Sequence, residues 1–429
     1  MGHALRLLQC LVVANRPLLV GELAEILAID FDDPDGIPKL NASWRWDDQE
    51  QGLLSSCSSL IAIIPVKDDN GGEEEHVSDD LDDNKNDNGK GKGDKNHAQI
   101  VQFSHFSVKE FLTSPRLATP NRDVSHYHIV LETAHTIMAQ ACLSVLLRVD
   151  DRVDQVIVGK ASPLDGYAAQ HWVTHAQFEG VSFYLRNAME CLFDVDKPYY
   201  AEWLRSHNLD ARPHESSLSL FEPDTVLGAS PLYYAALCGF QDLAEHLIVK
   251  YPQQVNAIGG IYMTPFVAAL SRRHFQVANL LHRHGSFVDP LDDVLWTPLH
   301  CAAASGDVEL VQVLVELKAD ISPRSRTAQT PLHTALGSDS PNGSKVARYL
   351  LEHGADVNAR TKDGLTPLHR ATESDKFVEV ARVLIENGAD IDAENKDGST
   401  PLQRASDYGS DKVAELLLEH GAKRKLSEA

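Results

Sequence analysis

The chain has 429 residues, 43% of them hydrophobic, and a formal net charge of -23. That length accommodates two or three domains, and no apolar run reaches the roughly 18 residues that a membrane span needs. So acidic a chain repels nucleic-acid phosphates overall, which leaves only a local basic patch as a route to direct contact.

The N-terminal stretch "MGHALRLLQCLVVANRP" carries a short apolar run without a basic leader or a small-residue cleavage site. It is expected to be a buried helix, not a signal peptide. Arg6 stands where a myristoylation motif wants Ser or Thr. The six cysteines, Cys10, Cys57, Cys142, Cys191, Cys238 and Cys301, form no CxxC pair. They are expected to be reduced thiols of an intracellular protein, cytoplasmic, nuclear or both.

"HALRLLQCLVVA" has helical periodicity, and "RPLLVGELAEILAID" and "DDQEQGLLSSCSSL" predict a second and a third helix. Two β-type runs follow, Leu60–Val66 and Ile100–Phe106. Three helices and a hairpin predict a winged-helix-like domain over residues 1–118. Lys67–Gln99, between the strands, holds 11 acidic and 5 basic residues among Asn and Gly. It cannot bury a core and is expected to be a disordered insert, either an interaction segment or a tolerated loop. The expected third helix has Asp47, Asp48 and Glu50 and no Lys or Arg, so direct DNA binding is not expected. Residues 119–225 predict a helical connector, with a seam at "FEPDTVLGA" around Pro223.

From residue 226 the chain repeats. Prolines at 231, 265, 298, 331, 367 and 401, each preceded by Ser or Thr, are spaced 34, 33, 33, 36 and 34 apart. The hydroxyl can cap a helix and the proline suits its first turn. A second amphipathic run follows in each copy and usually ends on glycine: Gly285, Gly354, Gly388 and Gly421, with Lys318 in the third copy. "TPLH", "VARYLLEHGADVNA" and this period resemble the ankyrin repeat. The resemblance covers residues 226–425 as six units and implies a solenoid that binds proteins on its concave face. In that family the histidine, here His300, His333 and His369, hydrogen-bonds between units. Tyr233, Val267 and Gln403 take its place elsewhere, which a catalytic role could not tolerate.

The turn dipeptide Asp-Gly survives at Asp363-Gly364 and Asp397-Gly398 and is lost at Val294-Leu295 and Thr327-Ala328, which predicts altered finger tips in the middle of the array. Candidate partner-binding residues are Trp296, Arg326, Lys362, Asp363, Lys396 and Asp397. Trp296 reads equally as an anchor or as packing on the next finger.

The phrases "ALRLLQCLVVANRPLLVGELAEILAID", "LLSSCSSLIAI", "VQFSHFSVKEFLTS" and "GYAAQHWVTHAQ" resemble the winged-helix segment that follows the ATPase in fungal NACHT–ankyrin receptors, a segment also found with GPI inositol-deacylase-like proteins. The resemblance covers residues 3–66 and 100–200. It implies a packing and relay module, but no GxxxxGK[ST] occurs in this chain, so no NTPase activity is inferred. No hydrolase elbow occurs either. His171 and His175 are four apart, yet Trp172 stands where a zincin has Glu, so a packed Trp is the expected reading and no metal or cofactor is assigned.

The fold expected is mainly α: winged helix, connector and ankyrin solenoid. The function expected is non-catalytic protein binding by a regulatory adaptor, including a transcription coregulator acting through a DNA-binding partner. "KRK" at residues 423–425 is either a nuclear-import signal or a basic helix end. The alternatives are the sensor half of a split or truncated NACHT–ankyrin receptor, partnered by a separate NTPase, and an enzyme. No membrane contact is expected.

Overall fold

The computed structural model describes residues 2–31, 38–57, 59–66, 98–115, 117, 128–148, 162–207, 209, 229–292, 295–337 and 340–424. Of the insert expected at Lys67–Gln99, residues 67–97 lie outside them, as does the seam around residue 223, whereas Gln99 belongs to a strand. The chain divides into two compact units, Met1–Ala211 and Arg212–Ala429. No helix among the described residues is long and apolar enough to cross a membrane.

In the first unit, α1 (Gly2–Val13) buries Leu7, Leu8, Cys10 and Val12. A two-residue strand, β1 (Leu18–Leu19), leads into α2 (Val20–Leu27). A second short pairing joins β2 (Ile29–Asp30) to β3 (Lys39–Leu40), and α3 (Gln49–Cys57) follows. The two β-type runs become β4 (Ile61–Pro65) and β5 (Gln99–Phe103). They pair antiparallel from Ile61↔Phe103 to Pro65↔Gln99, and β1 adds to the other side of β5. A short helix, α4 (Ser107–Leu112), comes next.

Then come α5 (Leu131–Leu146), α6 (Asp165–Ala176), α7 (Val181–Tyr184), α8 (Arg186–Leu192) and α9 (Tyr199–Ser206). The boundary expected at residue 118 falls inside this unit, because α5 packs on both α1 and α6. The reason is apolar: α5 buries Ala134, Met138, Ala139 and Cys142 on one face and Leu143, Val145 and Leu146 towards its end, too much for one neighbour to cover.

A buried carboxylate ties the same elements together. Glu25 of α2 is 3% exposed and accepts Nη2 of Arg45 on both oxygens (2.8 and 2.9 Å), Nη1 of Arg148 at the end of α5 (3.3 Å) and the Ser162 hydroxyl (3.1 Å). Glu22 caps the start of α2 by accepting the Leu19 N–H (2.8 Å), and Arg16 holds it with two nitrogens.

The second unit is built from successive helix pairs: α10 (Pro231–Cys238) with α11 (Gln241–Lys250), α12 (Pro265–Ser271) with α13 (Phe275–Arg283), α14 (Pro298–Ser305) with α15 (Val308–Glu316), α16 (Pro331–Leu336) with α17 (Gly343–Glu352), α18 (Pro367–Ala371) with α19 (Val378–Glu386), and α20 (Pro401–Tyr408) with α21 (Asp411–Glu419). Each first helix opens on proline behind a Ser or Thr. The hydroxyls of Ser230, Thr264, Thr366 and Thr400 accept the N–H three residues on, at 3.2–3.4 Å. Buried alanines (Ala236, Ala269, Ala303, Ala335, Ala371 and Ala405) let neighbouring first helices approach closely. The second helices bury stripes at three- and four-residue spacing, such as Val346, Ala347 and Leu350.

The tips differ from expectation. Leu295 and Ala328, both at φ 59°, adopt the left-handed backbone of Gly364 (φ 76°) and Gly398 (φ 74°). Their N–H groups donate to Asp292 O and Ser325 O as Gly364 does to Thr361 O. The tip backbone is therefore kept without glycine, because its hydrogen bonds outweigh a conformational cost of about 1 kcal/mol. Lys318 is likewise left-handed (φ 67°), and Lys318 N–H to Val315 O and Ala319 N–H to Leu314 O repeat the bonds of Gly354 and Ala355. Lys318→Gly is expected to raise stability by about 1 kcal/mol in urea unfolding. A fall in the midpoint would show that the lysine stem contributes packing that outweighs its backbone strain.

Candidate protein-binding surface

The first helices and the tips between pairs are held in register by one repeated device. In the third, fourth and fifth pairs the histidine Nδ1 accepts the N–H of the preceding Thr: Thr297 to His300 (3.1 Å), Thr330 to His333 (3.3 Å) and Thr366 to His369 (3.1 Å). Their Nε2–H then donates to a carbonyl of the next tip, Gln329 (3.0 Å), Leu365 (3.1 Å) and Ser399 (3.1 Å). This network fixes the neutral tautomer with the proton on Nε2. The three histidines are buried and their ring nitrogens are taken up by backbone groups, which is a structural role.

Burial lowers the pKa of all three against the opposing pull of the accepting carbonyl, and takes His333 down to about 4. The sign follows. The unfolded chain binds a proton near pH 6.5 that folded His333 refuses until about pH 4, so stability falls as pH drops between those values. For His333 the loss is on the order of 3 kcal/mol. Thermal unfolding from pH 7 to 4 should show His333→Gln with a shallower decline than wild type; parallel declines would refute the assignment.

Tips also bond to tips. Lys362 N–H donates to Thr327 O (2.8 Å) and Lys396 N–H to Asp363 O (2.9 Å). Arg324 Nη1 reaches Arg360 O (3.2 Å) and Arg360 Nη1 reaches Glu394 O (2.8 Å). The result is a continuous edge on which Arg326, Lys362, Asp363, Lys396 and Asp397 are all exposed. The structure thus brings five of the six candidate residues onto three consecutive tips. Trp296 stands one tip earlier. Its indole is half-buried and stacks on His300 of its own pair, ring centroids 5.8 Å apart and 21° between planes. Beside it the edge turns apolar, with Leu291 and Leu295 exposed and Ile258 and Ile261 exposed on the tip before.

Sequence reasoning missed a charged cluster on the adjoining first helices. Glu373, just beyond α18, accepts Arg370 Nη1 (3.1 Å) and Arg404 Nη2 of α20 (2.8 Å). The Arg404 guanidinium lies 5.1 Å over the ring of exposed Tyr408. A signal was present: Arg stands three residues after the proline in "TPLHRA" and "TPLQRA" and in no earlier copy.

The pair His171 and His175 diverges. His175 is fully buried, with Nε2 at 2.9 Å from the Tyr167 hydroxyl and Nδ1 at 2.9 Å from His135 Nδ1, while His171 Nδ1 lies 3.4 Å from the Asn15 amide. Burial, reinforced by His135 and His171, takes the His175 pKa down to about 3. Trp172 between them packs edge-on against Trp203 (5.2 Å). Among the described residues no group of three or more His, Cys, Asp or Glu is placed to hold a metal.

Comparison with known proteins agrees with this geometry. The family described as Ankyrin repeats (3 copies) matches residues 232–325, 266–361, 317–395 and 360–427. The chain is 26% identical over 293 residues to the azaphilone pigments biosynthesis cluster protein L of Monascus ruber, a match covering 66% of this chain and 55% of that protein. It is 30% identical over 100 residues to the ankyrin repeat protein nuc-2 of Neurospora crassa, covering 23% of this chain and 9% of the relative. The chain thus spans about half the length of the Monascus protein and under a tenth of the Neurospora one. An ankyrin repeat domain from Acinetobacter baumannii AYE aligns with 45% of the chain and 98% of its own length, at 27% identity and a TM-score of 0.40. Ankyrin repeats are in general modules of protein–protein interaction, and the C-terminal region of this chain, over residues 232–427, is a run of ankyrin repeats.

Proposed function

We propose that the chain is a non-catalytic regulatory adaptor that binds other proteins through a six-unit ankyrin array. The observation that carries this reading is the hydrogen-bonded edge of tips, where exposed charged side chains stand on a backbone fixed from unit to unit. Such a surface is preorganised for a partner and builds no enclosed chemical site.

The first unit is read as a winged-helix-like module. The order α1–β1–α2–β2–β3–α3–β4–β5, with β5 between β1 and β4, supports this. The helix α3 has no Lys or Arg, which favours action on transcription through a DNA-binding partner over direct contact. The name of the Monascus relative ties that protein to a pigment biosynthesis cluster. Carried to this chain, it supports a coregulator of a biosynthetic programme, working in the nucleus or the cytoplasm.

The second reading is the sensor half of a NACHT–ankyrin receptor. It rests on the resemblance of residues 3–66 and 100–200 to the winged-helix segment of that family.

Affinity purification of the full chain, against a variant carrying Arg326→Glu, Lys362→Glu and Lys396→Glu, tests both. Transcription factors retained by the wild type and lost by the variant are the expected result. Retention of a P-loop ATPase by both chains would favour the receptor reading, and ATP hydrolysis by the purified chain would overturn the non-catalytic one.

A further inference from the structure

We infer that the first unit carries an acid-released latch: a directed chain of hydrogen bonds through Asn15, Tyr167, His175 and His135 holds α6 on α5, and a proton taken up at His135 breaks it. This goes beyond the protein-binding reading and does not depend on it. Tyr167 and His175 are fully buried, and His135 is half-buried. The Asn15 N–H donates to the Tyr167 hydroxyl (3.2 Å). The hydroxyl's own proton then goes to Nε2 of His175 (2.9 Å). His175 must therefore carry its proton on Nδ1 and donate it to His135 Nδ1 (2.9 Å). Each donor in the chain meets one acceptor, and His135 keeps its own proton on Nε2.

A further proton has no place in the closed chain. Both His175 nitrogens are committed, so the lone pair that can take it is on His135 Nδ1, and filling it sets two N–H groups against each other at 2.9 Å. Reversing every bond does not relieve this. The Tyr167 hydroxyl would then accept from both Asn15 and His175, and its proton would be left buried without an acceptor. The surroundings do not compensate. Lys109 of α4 bears on His135, and His135 and His171 bear on His175, all opposing a positive charge. Arg16, and His207 at the end of α9, oppose charge on His171; Glu22 favours it, but Arg16 already holds Glu22. Burial keeps the thiols of Cys10 and Cys142, which face Tyr167, protonated. α7 has no charged side chain, and on α8 Arg186 pairs with Glu190 (2.9 Å). His171 Nε2 is buried without a hydrogen-bond partner, a bond that water would supply once α6 lifts.

Opening returns the rings to water, where a histidine takes a proton near its ordinary pKa. Burial holds His175 down to about 3 and keeps His135 and His171 below the ordinary value too. Folded values below the unfolded ones give the sign: the closed latch is fully stable above about pH 6.5 and loses stability as pH falls below it. For His175 alone, opening becomes about thirty-fold more favourable from pH 7.5 to pH 5. His135, stacked on Phe178 at 4.2 Å and 14°, is the titrating member of the chain that water reaches. Trp172 of α6 packs on Trp203 and Phe193, so release of α6 uncovers an aromatic layer.

Hydrogen exchange of the full chain, read by mass spectrometry with each rate divided by the intrinsic rate at its pH, tests this. From pH 7.5 to pH 5 the protection of residues 165–176 is expected to fall at least ten-fold, and to fall further than that of β4 and β5 in the same unit. His135→Asn/His175→Gln removes both titrating rings and keeps an amide in the place of each. Whatever its protection at pH 7.5, its fall on a logarithmic scale is expected to be less than half that of wild type. Histidine-selective nitrogen-15 spectra of the wild type at pH 7.5 need no variant, and should show His175 protonated on Nδ1 and His135 on Nε2. The opposite tautomers, a wild-type fall of less than ten-fold, a double variant as steep as wild type, or an even loss across the whole first unit would each overturn the proposal.

Discussion

Replacing His333 with alanine is expected to lower the unfolding free energy by about 3 kcal/mol. The side chain is 1% exposed and serves two buried backbone groups, accepting the Thr330 N–H and donating to Leu365 O. Each group left unsatisfied costs about 1–3 kcal/mol, and the lost ring leaves a cavity that adds to it. The last pair provides the control. There Gln403 stands at the histidine position, and its Oε1 accepts the Thr400 N–H (2.9 Å). His333→Gln is therefore expected to keep the cap, lose the bond to the next tip and cost about 1 kcal/mol. Urea unfolding followed by circular dichroism checks both. A lower m-value in the alanine variant would show the fourth and fifth pairs uncoupling. An alanine midpoint equal to wild type would refute the coupling role.

The first unit should respond as strongly at Glu25. Glu25→Ala leaves Arg148, which is held by this carboxylate and has a second nitrogen buried without a partner, as an uncompensated charge. Removing one member of a buried ion pair typically costs 3–5 kcal/mol, and that loss is expected here. Four of the five tryptophans, Trp44, Trp46, Trp172 and Trp203, belong to this unit, so fluorescence reports its unfolding separately from the array. Replacing both partners, Glu25→Leu with Arg148→Met, should recover most of the loss. If the double variant is as unstable as the single one, Glu25 acts mainly through Arg45 and Ser162.

Much of the array was legible because its signals are local. A proline after Ser or Thr marks each first helix, and the histidine three residues after Thr marks the bond to the next unit. The β4–β5 hairpin was legible from its β-rich runs. Two-residue strands such as β1 carry no periodicity of their own and exist only because β5 offers an edge. The burial of Glu25 was illegible for another reason: its partner Arg148 lies 123 residues away. At the tips, sequence register located Arg326, Lys362 and Lys396. The shared carboxylate of Arg370 and Arg404 depends on two helices meeting, which no single repeat displays. The left-handed backbone at Leu295 and Ala328 escaped because neighbours impose it on residues that do not prefer it.

Those strained positions have a consequence for how the array is made. Every non-glycine residue with positive φ among the described residues, Met263, Arg273, Leu295, Lys318 and Ala328, lies between residues 263 and 328, whereas the later corners use Gly354, Gly364, Gly388, Gly398, Gly409 and Gly421. In a stack whose stability is a sum of unit and neighbour terms, each such corner lowers the share of its own unit by about 1 kcal/mol, so the glycine-cornered repeats are expected to order first. Ordering of the stack is then expected to begin in its last repeats and spread backwards, so a nascent chain would display its more acidic first half before the binding edge is complete.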